Sequence, residues 1–117
     1  MSNGFRLKVV FYRTELGNEP VREWLKNLTR EEKKIIGEDI KTVQFGWPIG
    51  MPLIRKLESD IWEVRSHLKN RIARVLFTII TDKMILLHGF IKKSQKTSQD
   101  DITLAKKRAT EVRSQQL

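Results

Sequence analysis

The chain has 117 residues, with 23 Lys and Arg against 14 Asp and Glu for a net charge of +9, and it has no cysteine. That length suits one domain, able to bury roughly two thirds of its unfolded surface without staples, and the cysteine count excludes disulfides, thiol catalysis and cysteine-based metal sites. No apolar run approaches the roughly 20 residues of a membrane span, and the opening MSNGFRLKVVFYR lacks a signal peptide's apolar stretch, so a soluble cytoplasmic protein with no membrane partner is expected.

Residues 6–13, RLKVVFYR, have a β-rich centre and predict a first strand that ends before the turn-prone Gly17-Asn18. Pro20 is a good first-turn residue, and the helix it opens carries Val21, Trp24, Leu25 and Leu28 on one stripe. Thr29-Arg30-Glu31-Glu32 is a capping-box pattern for a second helix, which turns Ile36, Ile40 and Val43 inward until Gly46 and Pro48 stop it. Residues 46–52, GWPIGMP, make a turn-rich connection. In Ile61–Leu68 the alternation puts Trp62, Val64 and Leu68 on one face and Glu63, Arg65 and His67 on the other. Lys69-Asn70 is the turn to a strand over about Arg71–Thr81, in which Ala73, Val75, Phe77 and Ile79 alternate with Ile72, Arg74, Leu76 and Thr78. Arg65 and Arg74 then share a face on adjacent strands. A last strand, Met84–Ile91, is apolar through most of its length, as a central strand covered on both sides would be. Ser98 caps a final helix with Asp100 and Asp101 in its first turn, and its narrow stripe of Ile102, Ala105, Ala109 and Val112 needs a partner. The expected class is α+β in the order β-α-α-β-β-β-α, with the two N-terminal helices packed on a mostly antiparallel sheet plus the C-terminal helix, in a single domain over residues 1–117.

Charge is concentrated in Ile61–Lys96, which holds eight Lys and Arg against two carboxylates. A sheet built from it presents a basic face suited to a polyanion. Within it Arg65, Arg74, Lys92, Lys93 and Lys96 supply guanidinium forks for phosphate oxygens and lysines able to move a proton. Metal-free RNA cleavage asks for those groups, because attack by the 2′-hydroxyl on the adjacent phosphorus builds negative charge and the leaving 5′-oxygen must be protonated. Taken on charge alone, the same face suits a solvated surface or a nucleic-acid contact without chemistry. An arginine on a strand's polar face is expected to contribute charge rather than core volume, so Arg74 should be removable without loss of the fold.

The histidines are His67 and His88. His88 lies in the apolar run Leu86-Leu87-His88-Gly89-Phe90, where a core residue bonded to a neighbour competes with a catalytic one, and His67 near a hairpin end fits plain surface. Two histidines without cysteine or clustered carboxylates give no metal site, and no cofactor is expected. Glu31, Glu32, Glu38 and Asp39 fit solvated helix faces and caps. Trp24 and Trp62 sit at core positions of their patterns, Trp47 is either a lid on the core or an exposed contact, and Phe77 and Phe90 are core residues that could border the basic face.

Ile61-Trp62-Glu63-Val64-Arg65, Arg71-Ile72-Ala73-Arg74-Val75, and LLHGFIKKSQKT over 86–97 before the helix with Asp100-Asp101 and Ala105 resemble the phage-derived HigB-like branch of the RelE/ParE toxins, as does Glu19-Pro20-Val21-Arg22-Glu23-Trp24-Leu25. The resemblance covers essentially the whole chain. It implies a RelE-like fold and the toxin of a type II toxin–antitoxin pair, a metal-independent, ribosome-dependent mRNA endonuclease that inhibits translation. Its partners would be the 70S ribosome with its mRNA and a cognate helix-turn-helix, HigA-like antitoxin. By motif position Arg65, Arg74, Lys92 and Lys93 carry over as catalytic residues, the arginines for phosphate clamping and a lysine for proton transfer, with His88 as base or stacking contact. Lys96, Arg71, Lys69 and Phe90 would touch RNA. Several RelE relatives use a tyrosine near the C-terminus, whereas the sole tyrosine here is Tyr12 in the first strand, so the resemblance leaves the general base unassigned. The alternatives are a ParE-like gyrase poison, which needs no phosphate-clamping constellation, and a non-catalytic nucleic-acid-binding or regulatory module.

Overall fold

The computed structural model describes residues 6–48, 53–92 and 96–116. Its elements run β1 (Lys8–Phe11), α1 (Pro20–Lys26), α2 (Arg30–Gly46), β2 (Ile54–Glu58), β3 (Ile61–Leu68), β4 (Arg71–Ile80), β5 (Lys83–Lys92) and α3 (Gln99–Gln116). The expected α+β class holds, with three helices and a five-stranded sheet ordered β1-β5-β4-β3-β2. β2 is a strand beyond the expected four. Its sequence is IRKLE, and it pairs with β3 at the sheet edge, where Ile54 lies opposite Val64 and Lys56 opposite Trp62. Strands β2 to β5 form an antiparallel meander, and β1 joins β5 in parallel after the excursion through the two helices.

The helix ends follow local chemistry. Pro20 opens α1, and at α2 the Glu32 amide donates to the Thr29 hydroxyl while the Thr29 amide donates to the Glu32 carboxylate, a complete capping box. The β3–β4 turn places Asn70 at φ 62°, a left-handed conformation that asparagine tolerates.

Each face of the sheet has its own core. On one, Val21, Ile36, Ile40 and Val43 from α1 and α2 pack with Leu7, Val64, Val75, Phe77, Met84 and Leu86. Trp47 closes this core edge-on against Trp62 and Phe77, with ring centroids 5.2 and 5.7 Å away, so it is a lid and not a surface contact. On the other face, Ala105, Ala109 and Val112 of α3 meet Ile61, Leu76, Ile85 and Leu87, which supplies the partner the narrow stripe needed. The central placement expected for the last strand is found, since β5 lies between β1 and β4 with α1 on one side and α3 on the other.

A bulge in β5 decides which of its residues reach which face. Leu86 lies opposite Phe77 and His88 opposite Leu76, leaving Leu87 as the extra residue. Strict alternation would send His88, Phe90 and Lys92 to the same side as Met84 and Leu86. The added residue reverses the phase, so these three emerge on the α3 side and Gly89 turns to α1. There the Trp24 ring lies so close that a Cβ on Gly89 would stand 2.4 Å from it.

Candidate functional site

On the α3 side of the sheet, three rungs lie against the residues that lead into α3. Glu63, Leu76 and His88 form one, Arg65, Arg74 and Phe90 the next, and His67, Ile72 and Lys92 the third. The expected sharing of a face by Arg65 and Arg74 is therefore found, and the bulge adds His88, Phe90 and Lys92 to it.

Beneath this surface lies a buried ionic group. Glu63 and Arg74 are both fully buried, with Arg74 Nη1 3.7 Å from Glu63 Oε2. Arg74 Nη1 donates to Thr97 Oγ1 at 2.9 Å, and the Thr97 hydroxyl in turn donates to Glu63 Oε2. Glu63 Oε1 stands 3.1 Å from Nε of Arg65, whose side chain keeps 10% of its exposure. Burial draws the Arg74 pKa down from its ordinary value, the Glu63 carboxylate opposes this, and Arg65 and Arg55 add to the lowering; an arginine stays protonated regardless. The expectation that Arg74 is a solvent-facing charge removable without loss of the fold is corrected here. Its guanidinium neutralises a buried carboxylate and ties β3 and β4 to Thr97, two residues before α3.

Above it sits a second, more accessible group centred on Asp101. Ser98 precedes the first residue of α3, and the Asp101 amide donates to Ser98 Oγ at 3.2 Å while that hydroxyl donates to Asp101 Oδ2 at 2.6 Å. This reciprocal cap aims the carboxylate at the sheet. Asp101 Oδ1 lies 2.7 Å from His88 Nε2, and Lys92 Nζ donates to Oδ2 at 2.7 Å. Burial alone would raise the Asp101 pKa, but hydrogen bonds from Lys92, Ser98 and His88 outweigh it and hold the value at about 2. The carboxylate is thus ionised at neutral pH. Phe90 completes the group, with its ring centroid 5.0 Å from that of His88 and 5.1 Å from Lys92 Nζ.

The expected site residues divide accordingly. Arg65, Arg74, His88, Phe90 and Lys92 come together. Lys69 is exposed in the β3–β4 turn and Lys96 is exposed just before Thr97. Arg71 lies opposite Leu68, which packs on the α1/α2 core, and its guanidinium pairs with Glu32 of α2, so the structure turns it away from the other site residues. Lys93 lies outside the described residues. His67 is exposed as expected and, with Ile35, Asp39, Leu53 and Arg65, lines a cleft of about 320 Å³ beside the site. Tyr12 is buried under α3, where its hydroxyl donates to Glu111 at 2.5 Å, and burial followed by Glu111 raises its pKa.

Sequence reasoning missed Glu63, Thr97 and Asp101. Ser98-x-x-Asp101 reads as a helix cap, which it is, and nothing local reveals that the same carboxylate also spans to β5. Glu63 alternates onto the polar side of its strand, and only the neighbouring strand shows that this side is filled by Arg74.

Chemically, the face offers a guanidinium at Arg65, an ammonium at Lys92, an imidazole at His88 and an aromatic surface at Phe90, with two carboxylates fixing their positions. That set can bind a phosphodiester, move a proton and stack on a base. Among the described residues no three His, Asp or Glu side chains converge as metal ligands, and no helix is long and apolar enough to cross a membrane. The family described as phage derived protein Gp49-like (DUF891) matches residues 23–110 of the chain. No curated protein matches it.

Proposed function

The chain belongs to the Gp49-like family of phage-derived proteins, and on that premise we propose that it is the toxin of a type II toxin–antitoxin pair, of the HigB-like branch of the RelE/ParE superfamily, acting as a metal-independent endoribonuclease on mRNA in the ribosome. The observation that supports this reading is the convergence of Arg65, His88, Phe90 and Lys92, each partly accessible, on one strip of sheet. In it, Arg65 binds the phosphate and meets the charge that grows on its oxygens, Phe90 stacks on a base, and Lys92 protonates the leaving 5′-oxygen. Arg74 acts from below, sharing the Glu63 carboxylate with Arg65 so that both guanidinium groups are fixed in place.

The products of such a cut are a 2′,3′-cyclic phosphate and a 5′-hydroxyl. A free protein of charge +9 with this activity would arrest its host. We therefore include in the proposal a tightly bound helix-turn-helix antitoxin that excludes the toxin from the ribosome, over an interface of about 1,600 Å² or more.

The test is to induce the protein alone in cells and map mRNA 5′ ends. New 5′-hydroxyl ends confined to translated frames, with arrested growth, are expected. Growth arrest that maps to gyrase with intact mRNA would replace this reading with the ParE-like one. Retained RNA binding with no cleavage under any condition would leave a binding module.

A further inference from the structure

We propose that Asp101 is the positioning residue of this site, and that by accepting a hydrogen bond from His88 Nε2 it makes His88 Nδ1 the proton acceptor for the 2′-hydroxyl of the RNA. The inference rests on the nuclease reading above and deepens it by deciding between base and stacking contact for His88 and by naming the residue that orients it.

The argument starts from what each atom can do. An ionised carboxylate only accepts hydrogen bonds. Two of the groups on Asp101, the Lys92 ammonium and the Ser98 hydroxyl, bring their protons to Oδ2. Oδ1 remains for His88 at 2.7 Å, so the ring nitrogen facing it, Nε2, must carry the hydrogen. In the neutral imidazole the lone pair is then on Nδ1, which has no hydrogen-bond partner among the described residues. Orientation is held as well as tautomer. The cap from Ser98 aims the carboxylate, the Phe90 ring lies against the imidazole, and the bulge at Leu87 brings His88 to this face at all. The charged groups around the imidazole are Asp101 from α3, Lys92 from its own strand and Arg74 from β4, the last acting on Asp101 through space.

In the step itself the 2′-O–H bond breaks, its proton passing to Nδ1 and its electron pair staying on oxygen. That oxygen bonds to phosphorus, the P–O5′ bond breaks with its electrons on O5′, and O5′ takes a proton from the Lys92 ammonium. His88 ends as imidazolium beside the Asp101 carboxylate and Lys92 ends as the neutral amine. The arrangement performs the roles of base and base-orienting carboxylate without a metal.

The experiment joins a spectroscopic and a kinetic reading. In protein carrying ¹⁵N-labelled histidine, the neutral His88 ring of the wild type should show the Nε2–H tautomer, and Asp101→Asn should lose that bias. In purified translating ribosomes Asp101→Asn and His88→Gly should each lower kcat for mRNA cleavage on the order of a hundredfold or more with KM little changed, and added imidazole should restore part of the His88→Gly rate. A wild-type ring in the Nδ1–H tautomer overturns the proposal whatever the variants do. So does a wild type that cleaves while Asp101→Asn keeps pace with it. A wild type that cleaves nothing on ribosomes overturns the nuclease reading itself and this role with it, an outcome distinct from failure of the assignment alone.

Discussion

Arg74 and Glu63 are fully buried together, guanidinium to carboxylate at 3.7 Å, with the Thr97 hydroxyl bonded to both. Desolvating two charges is costly, and removing one partner leaves the other without compensation. Arg74→Ala should therefore lower unfolding stability by about 3–5 kcal/mol, so any loss of toxicity in this variant reports unfolding before it reports chemistry. Urea denaturation of the purified variant checks this. A midpoint equal to the wild type's would mean that Glu63 finds another counter-ion.

Arg65 should behave differently. It keeps partial exposure, and Glu63 retains Arg74 when Arg65 is truncated. Arg65→Ala should fold with a modest stability loss while cleavage falls by about 2–4 kcal/mol in transition-state stabilisation, roughly a hundredfold or more in rate. Comparing single-turnover cleavage with the thermal midpoint separates the two effects, and a variant that unfolds as readily as Arg74→Ala would make Arg65 structural too.

Gly89 faces Trp24 with no room for a methyl group, since the added Cβ would meet two ring carbons at 2.4 and 2.5 Å. Gly89→Ala should push α1 off β5 and cost about 1–3 kcal/mol by overpacking. Pairing it with Trp24→Leu, which opens the space, should recover part of that loss in a double-mutant cycle. Additive losses would show that the ring is not the obstruction.

Asp101 also has a thermodynamic signature. Its folded pKa of about 2 lies below the ordinary 3.8, so the unfolded state takes up its proton first as the pH falls. The stabilisation is fully present above about pH 4 and is lost as the pH drops toward 2, and it amounts to about 2 kcal/mol. The stability difference between wild type and Asp101→Asn should be largest near neutrality and shrink toward pH 2 in denaturant titrations.

Binding to ribosomes should weaken steeply with salt, because each phosphate contact releases counter-ions. Chelation should leave cleavage intact once the ribosome's own magnesium is maintained. Restoration of cleavage by one particular divalent ion after chelation would put a metal into the mechanism.

Local pattern carried a large share of this molecule. Pro20, the Thr29–Glu32 capping box, the Lys69-Asn70 turn and the Ser98 cap all depend on groups within a few residues of one another, and each appears where the residues predict it. The pairing of Arg65 with Arg74 was legible too, because one short turn joins two alternating strands and fixes their register.

What only the tertiary structure decided are the relations between distant residues and the phase of β5. Leu86-Leu87-His88-Gly89-Phe90 is apolar enough to fit either face, so its composition cannot locate a bulge, and the one extra residue at Leu87 moves His88, Phe90 and Lys92 from the α1/α2 side to the α3 side. The same holds for charge. A count of lysines and arginines sees an excess of positive groups, but burial is set by what packs above a residue, and α3 together with Thr97 turns Arg74 from a surface cation into the counter-ion of Glu63. Periodicity reports which side of a strand a residue lies on, whereas whether that side meets water or another element depends on chain that arrives from 23 residues away.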